Sequence, residues 1–174
     1  MAMNVDYHNP CIALIRGHIQ HYNQKKYWKY RQYVTQPGGG GKLRKIISLL
    51  KLMYIKRCDA FNCASLGTDL GRGAVFGSIP IFPHGLYGII ISPDVTIGKN
   101  SRIYHHVTIG NDDVDALNVP TIGDNVTIYP GAKIIGKIKI GNNVKIGANA
   151  VVVEDVPDNS IVLAPKAVIK IKKQ

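Results

Sequence analysis

The amino-acid sequence predicts a mainly β protein, a parallel β-solenoid preceded by a short α-helical hairpin. Two observations support this fold. An aliphatic residue returns at every sixth position through residues 89–156, a period that neither an amphipathic helix nor an alternating strand produces. Glycine often follows these residues directly, and a β-branched residue often lies two positions before them. Short strands closed by tight turns and repeated in this way indicate a solenoid, which gains its core by stacking its turns.

The repeating aliphatic residues, called anchors, form two regular runs. They are Ile91, Ile97, Ile103 and Ile109, then Ile122, Ile128, Ile134, Ile140, Ile146 and Val152. Leu70, Phe76 and Phe82 continue the same spacing less regularly before the first run. Three residues are inserted around 83–87, and seven between Ile109 and Ile122. Because irregular loops on a repetitive scaffold often carry specific function, a site is expected at these loops.

The segment before the solenoid, residues 1–62, predicts two basic helices. The first follows Asn9 and Pro10 and continues to Gln36, and the second covers residues 43–61. Residues 37–41 separate them, because proline and four glycines do not sustain a helix. The second helix mixes basic and apolar residues, as does a helix that lies on an anionic membrane surface. The preferred interpretation is a helix hairpin that packs on itself, on the solenoid or on neighbouring subunits.

Charge and cysteine usage limit the classes of partner. The formal net charge of +11 predicts an anionic partner such as a phosphorylated cofactor, an acidic glycan, a lipid headgroup or nucleic acid. Nucleic acid is not expected, because no recognised binding module groups the lysines. Three cysteines without metal-ligand spacing indicate reduced thiols in the cytoplasm. No signal pattern or long apolar run appears, and His105 and His106 lack a third metal ligand, so no membrane span and no metal are expected.

Counting hexads predicts a column of side chains along one edge of the solenoid. Residues 63–165 hold about five coils, followed by a basic tail over 166–174. If three hexads make one triangular turn, as in left-handed β-helices, Phe82, Ile103, Ile128 and Ile146 lie on one face. The residues two places beyond these anchors are His84, His105, Pro130 and Ala148. They should stack at the spacing of neighbouring strands, about 4.8 Å, so the two histidines should be neighbours above a floor of small residues.

Residues 8–172 resemble the hexapeptide-repeat, left-handed β-helix acyltransferases. Three motifs are similar to those of the serine O-acetyltransferase branch. They are Gly67-Thr68-Asp69-Leu70, Phe82-Pro83-His84-Gly85 and Val107-Thr108-Ile109-Gly110. The basic helical leader and the ending Val156-Pro157-Asp158-Asn159-Ser160 are more similar to acetyltransferases of bacterial exopolysaccharide and capsule synthesis, of the colanic acid type. The resemblance implies a homotrimer with acetyl-CoA as co-substrate, bound between adjacent solenoids.

The resemblance also implies roles for individual residues. His84 matches the general base, and Asp69, fifteen positions earlier, matches the carboxylate that orients it. An alcohol that attacks a thioester needs such a base, because imidazole can accept the hydroxyl proton near neutral pH. The expected acetyl-CoA contacts are Gly110, Pro130, Gly147, Ala148, Lys166 and Lys170. The expected acceptor contacts are His105, His106, Asp112 and Asp113. The C-terminal lysines fit a solvated basic tail equally well, and the oxyanion donor is either His105 or backbone N–H groups.

Departures from the serine enzymes favour a different acceptor. Pro83 stands where those enzymes carry an aspartate, Asn118 and Val119 replace an Arg-His pair, and the leader is shorter than their helical domain. We therefore expect acetyl transfer to a sugar hydroxyl in bacterial surface polysaccharide biosynthesis, in the cytoplasm or at the inner face of the membrane, with the basic N-terminal helices as the candidate for membrane contact. The alternatives are a serine O-acetyltransferase of cysteine biosynthesis and a non-catalytic solenoid scaffold, although a scaffold has no reason to keep both Asp69 and His84.

Overall fold

The computed structural model describes residue 18 and residues 21–36 and 41–170, and it contains two helices followed by a parallel β-solenoid. The helices are α1 (Gln24–Thr35) and α2 (Lys42–Phe61). Neither helix in the described part of the chain has both the length and the apolar composition that a membrane span requires. The predicted order, helices first and solenoid second, is confirmed.

The solenoid consists of short strands, and all of them except one antiparallel pair near its start lie in three parallel sheets. The strands are β1 (Ser65–Leu66), β2 (Thr68–Asp69), β3 (Arg72–Gly73), β4 (Val75–Phe76), β5 (Ile90–Ile91), β6 (Thr96–Ile97), β7 (Arg102–Ile103), β8 (Thr108–Gly110), β9 (Thr121–Ile122), β10 (Thr127–Ile128), β11 (Lys133–Ile135), β12 (Lys139–Ile140), β13 (Lys145–Ile146), β14 (Val151–Val152) and β15 (Ile161–Val162). Sheet 1 has the order β1-β5-β8-β11-β14, sheet 2 has β4-β6-β9-β12, and sheet 3 has β7-β10-β13-β15. The chain visits the sheets in turn and completes about four turns, one fewer than predicted.

The core of the solenoid is a stack of anchors in register. In sheet 1, Ile91 pairs with Ile109, Ile109 with Ile134, and Ile134 with Val152. All four side chains are buried, whereas the preceding residues face outward, as shown by Val151, which is 67% exposed. Successive side chains of a strand point to opposite faces, so the anchors point inward, and residues two positions before them, such as Val107 and Val144, are buried with them. The prediction from the period of six is confirmed.

Asparagines hold the corner between sheets 2 and 3. Asn100, Asn125, Asn143 and Asn159 all have φ between 56° and 60°, the left-handed region that asparagine tolerates better than most residues. The side-chain amide of Asn100 donates to Asn125 at 3.2 Å, Asn125 donates to Asn143 at 3.1 Å, and Asn143 donates to Asn159 at 2.9 Å. This ladder of side chains links successive turns at the corner.

The first turn departs from the predicted spacing. Leu70 is 48% exposed and is not an anchor; the buried residue that pairs level with Ile91 is Leu66. Residues 67–74 form an antiparallel hairpin in which β2 pairs with β3. The hairpin places Leu70 in its turn, where the spacing of six to Phe76 is a coincidence. Phe76 does occupy an anchor position, because it pairs with Ile97.

The predicted first helix is interrupted. Residues 21–23 are not helical. The backbone of Asn23 is extended, and its side chain accepts a hydrogen bond from the Lys26 N–H at 3.0 Å. Such a cap begins a new helix, so one continuous helix from Pro10 to Gln36 is wrong at this point. The earlier part of that prediction, and residues 37–40 of the predicted glycine-rich loop, lie outside the described residues.

Arg31 of α1 closes the open end of the solenoid. The residue is 5% exposed, and its Nε donates to Thr68 Oγ1 at 3.1 Å. Its Nη2 donates to the carbonyl oxygens of Leu66, at 3.3 Å, and of Ala74. No earlier turn covers these carbonyls, so the guanidinium supplies their donors. Desolvation lowers the pKa of Arg31 to about 10, which leaves it charged at neutral pH.

Asp59 of α2 is a second buried polar group in the helical hairpin. Its Oδ1 accepts a hydrogen bond from the Tyr27 hydroxyl at 2.7 Å. Desolvation raises the pKa of Asp59 to about 6, although Tyr27, Lys56 and Arg31 all act to lower it. The folded protein therefore holds the Asp59 proton at pH values where the unfolded chain has released it.

Neighbouring valines test the inward and outward faces of one strand. Val152 is 5% exposed and Val151 is 67% exposed. Val152→Ala should lower the free energy of unfolding by about 2 kcal/mol, because it removes buried methyl groups and leaves a cavity. Val151→Ala should cost less than about 0.5 kcal/mol. Chemical denaturation at matched protein concentration measures both; equal losses would contradict the described orientation of β14.

Asp59 predicts a pH dependence of stability. Between about pH 4 and pH 6 the unfolded state binds fewer protons than the folded state, so the stability due to this group falls as pH rises. Asp59→Asn keeps an acceptor for Tyr27 and cannot ionise. The free energy of unfolding of the variant, relative to that of wild type, should therefore rise by on the order of 3 kcal/mol across this interval. Urea denaturation at each pH measures it. A constant difference, as expected of the exposed control Asp113→Asn, would contradict the burial of a carboxyl group.

Candidate functional site

The predicted column lies at the corner where sheet 3 passes to sheet 1. Ile103, Ile128 and Ile146 pair in register, and the chain turns two residues beyond each of them. The Gly131 N–H donates to the His105 carbonyl at 3.1 Å, and the Asn149 N–H donates to the Pro130 carbonyl at 2.9 Å. His105, Pro130 and Ala148 therefore occupy equivalent positions in successive turns, as the hexad count predicts.

The insertion around 83–87 brings His84 to the top of this column. Leu86 and Ile89 are fully buried and fix the loop to the core, while His84 remains exposed. The Nδ1 atoms of His84 and His105 are 2.7 Å apart. A hydrogen bond at that distance needs one donor and one acceptor, so the two nitrogens share one proton. Nε2 of each ring is then the atom that can face a reactant.

The environment of His105 favours its neutral form. Partial desolvation lowers the pKa of His105, and the neighbouring His84 and His106 lower it further. A neutral imidazole has one donor and one acceptor nitrogen. His105 can therefore complete the hydrogen bond to His84 whichever of the two Nδ1 atoms carries the proton.

Two tyrosines that the sequence analysis missed flank the histidines. The rings of Tyr104 and Tyr129 stack with centroids 5.4 Å apart and planes 15° apart, and His84 meets Tyr104 edge to face at 5.3 Å. Each tyrosine directly follows an anchor and precedes a residue of the column, His105 or Pro130. That shared position was the available signal. The two rings add an aromatic wall beside the column, against which a ligand chain can pack.

His106 lies on the other side of His105 from His84, and its ring meets that of His105 edge to face at 5.4 Å. Its backbone lies in the left-handed region, with φ of 57°, and its ring packs edge to face on Tyr87 at 5.0 Å. A side chain at Gly88 would collide with this ring, which explains the glycine there. Lys133 Nζ donates to the His106 carbonyl at 2.8 Å. These contacts show His106 supporting the turn; its acceptor contact stays a prediction.

Asp69 does not meet His84 within one chain. Asp69 lies on the β2–β3 hairpin, at the corner between sheets 1 and 2, where its carboxylate is 3.6 Å from Lys56 Nζ. The full width of sheet 1 separates this corner from the corner that carries His84. No contact between the two side chains is present in the described chain, so the role of Asp69 stays a prediction.

The second predicted loop, residues 111–120, leaves from the same corner as Asp69. Asp112 Oδ1 accepts hydrogen bonds from the backbone N–H of Val114 at 3.1 Å and of Asp115 at 3.4 Å, and Asn118 donates to Oδ2 at 3.2 Å. Slight desolvation raises the pKa of Asp112, but these hydrogen bonds outweigh it and the net pKa is lowered. Asp112 thus closes its own loop, and both Asp112 and Asp113 are exposed.

The predicted acetyl-CoA contacts divide between the two corners. Gly147 and Ala148 continue the column below Pro130, and the Gly147 N–H donates to the Val162 carbonyl at 2.8 Å. Gly110 ends β8 at the other corner, beside Ser92. Lys166 and Lys170 are exposed in a segment without regular secondary structure. Over the described ranges, no three His, Cys, Asp or Glu side chains converge as a metal site would require.

Comparisons with known proteins agree with this architecture. Residues 120–153 match the family model described as bacterial transferase hexapeptide (six repeats). A serine acetyltransferase from Mycobacterium tuberculosis is 43% identical over 98 residues, which are 56% of this chain and 42% of the relative. One from Staphylococcus aureus is 42% identical over 106 residues, 60% of this chain and 49% of the relative. The structure of soybean serine acetyltransferase complexed with serine has 33% identity and a TM-score of 0.58, covering 73% of this chain and 51% of the soybean chain.

The repeat, the fold and the family-model match over residues 120–153 make the solenoid similar to the hexapeptide-repeat transferases. The chain spans about half the length of the curated relatives it matches. These relatives are serine acetyltransferases, so the prediction of a sugar hydroxyl in surface polysaccharide synthesis is wrong, and a glycan partner is not supported. The departures at Pro83 and Val119 were given too much weight against the similarity over 98 and 106 residues.

The histidine pair predicts a specific coupling in titration. Replacing His84 by alanine removes a neighbouring group that lowers the pKa of His105, so that pKa should rise toward its ordinary value. NMR titration of ring carbon-bound protons measures the change, with the ring signals of His21, which lies before α1 and packs on Phe61, as the internal control. An unchanged His105 titration would show that the two rings do not interact in solution.

Proposed function

We propose that the chain is an acetyl-CoA-dependent O-acetyltransferase that acts on the hydroxyl group of L-serine. The observation that carries this proposal is the pair of ring nitrogens, on His84 and His105, at the head of an accessible column of small residues. The similarity to serine acetyltransferases over 98–106 residues supports serine as the acceptor. Cys58 and Cys63 are free thiols, which supports a reducing, cytoplasmic location.

The chemistry proceeds from the hydrogen bond between the histidines. His105 holds the His84 ring through Nδ1, so that Nε2 of His84 can accept the proton of the serine hydroxyl. The hydroxyl oxygen then attacks the thioester carbonyl of acetyl-CoA, and the carbon–sulfur bond breaks. CoA leaves as a thiol after it takes the proton from His84, and O-acetylserine is formed. Pro130, Ala148 and the rings of Tyr104 and Tyr129 line the path for the pantetheine arm.

The position of Asp69 favours an active site between subunits. Its corner and the corner of His84 lie at opposite edges of sheet 1. In a homotrimer with its threefold axis parallel to the solenoids, one corner of each subunit can face the other corner of the next. One subunit would then bring its Asp69, Gly110 and loop 111–120 close to the neighbouring subunit. There they would approach His84 and the column. The acceptor is accordingly held between two chains.

CoA release from acetyl-CoA, measured by thiol detection, tests the activity. L-Serine should support release, and His84→Ala should lower kcat by about 10²- to 10⁴-fold through loss of the general base. Because His84 is exposed, the variant should keep its circular dichroism spectrum. The control panel contains hydroxyl compounds without an α-amino acid group. Release with those compounds but not with serine would refute the acceptor; release by folded His84→Ala at the wild-type rate would refute the mechanism.

Subunit mixing tests the origin of Asp69. Asp69→Asn and His84→Ala should each be nearly inactive alone. Trimers reconstituted from an equal mixture should regain about a quarter of the wild-type activity, because about one interface in four pairs an intact Asp69 with an intact His84. A mixture of two differently tagged His84→Ala preparations is the matched control. Mixed trimers without regained activity, verified by tag pull-down, would place both residues in one subunit.

A further inference from the structure

The outward face of α2 exposes an apolar stripe. Five large side chains lie on it, with exposed fractions between 49% and 72%. They are Leu43, Ile46, Leu49, Leu50 and Met53. Their spacing of three, four and seven residues puts them on one side of the helix. A contiguous exposed stripe of this kind on a folded protein marks an interaction surface.

The opposite side of α2 already has its partner. Ile55 and Cys58 are buried, and Leu52 and Tyr54 pack partly against the core. Lys51 Nζ lies 3.3 Å from the centre of the Tyr33 ring, and Lys26 Nζ lies 4.4 Å from that of Tyr54. These cation–π contacts join α1 to α2. The helix is thus fixed by one apolar face and presents a second one outward, and a helix that is apolar on both sides needs a second partner.

The surroundings of the stripe are basic. Helix α1 contributes three exposed lysines in addition to the buried Arg31, α2 contributes six basic residues, and the sole acidic residue of the two helices, Asp59, is buried. Lys42, Lys45 and Arg57 are exposed beside the stripe, and Lys56 is also exposed but lies 3.6 Å from the Asp69 carboxylate. A long lysine side chain can extend from the edge of an apolar surface to reach an anionic group. The partner must therefore offer both an apolar interior and negative charge.

A second copy of this chain that pairs through the same face does not meet that requirement. Pairing the α2 faces of two copies about a twofold axis would bring the two sets of basic side chains together, and like charges repel. An anionic bilayer does meet it, because its acyl chains accept the apolar residues and its headgroups attract the lysines. We infer that the Leu43–Met53 face of α2 binds the anionic lipid surface of a membrane.

Vesicle co-sedimentation of the full chain tests this inference without depending on enzymatic activity. Wild type should bind vesicles of phosphatidylcholine mixed with phosphatidylglycerol, should bind pure phosphatidylcholine much less, and should be released by salt. Leu50→Glu should weaken binding roughly tenfold or more, since it places a charge where an apolar side chain is buried. Leu163→Glu is the matched control, because Leu163 is 77% exposed on the last turn of the solenoid.

Two results would overturn the inference. One is binding that is absent, or that Leu50→Glu and Leu163→Glu weaken equally. The other is a fall in molar mass of the Leu50→Glu protein, measured by size-exclusion chromatography with light scattering, since that result would identify the stripe as a subunit interface. Loss of binding by Leu50→Glu with unchanged mass supports the lipid surface, whatever the acceptor of the acetyl group.

Discussion

The stacking of one buried anchor on the next, in register along three parallel sheets, is the constraint on which the rest of the structure depends. Each strand supplies a single inward aliphatic side chain, so an anchor moved by one position would point to solvent. Extra residues can therefore leave the coil only where it turns. The hairpin at 67–74, the loop at 83–87 and the loop at 111–120 all do so, and they carry Asp69, His84 and Asp112.

A solenoid also has ends, and this one is closed by charge and hydrogen bonds as well as by apolar contact. Arg31 offers the carbonyls of the first turn the donors that a preceding turn would otherwise provide. Its guanidinium lies 4.6 Å from the centre of the Phe76 ring, so the same side chain both packs and donates. The helical hairpin is thereby fixed to the solenoid, and its outward face has a defined orientation.

The candidate site depends on the same register. His105, Pro130 and Ala148 come together because three turns repeat the same corner, and His84 joins them because the loop at 83–87 is anchored by Leu86 and Ile89. The hydrogen bond between two imidazoles links the charge states of the rings, which suits a group that must accept and return a proton. The stacked tyrosines extend the site along the solenoid axis, in the direction that an extended co-substrate would take.

The sequence by itself determined the solenoid, its anchors from Ile91 onward and the column of His84, His105, Pro130 and Ala148. A period of six has one geometric solution in stacked turns, and counting then gives the neighbours. Only the tertiary structure decided that Leu66 and not Leu70 begins the stack, because Leu70 lies in the turn of the 67–74 hairpin and is six residues from Phe76 by coincidence. Three further features could be seen only in the structure. They are the contact between His84 and His105 through Nδ1, the stack of Tyr104 on Tyr129 and the separation of Asp69 from His84. Ring orientation and the corner at which a loop leaves depend on contacts between turns, which no local pattern of residues encodes.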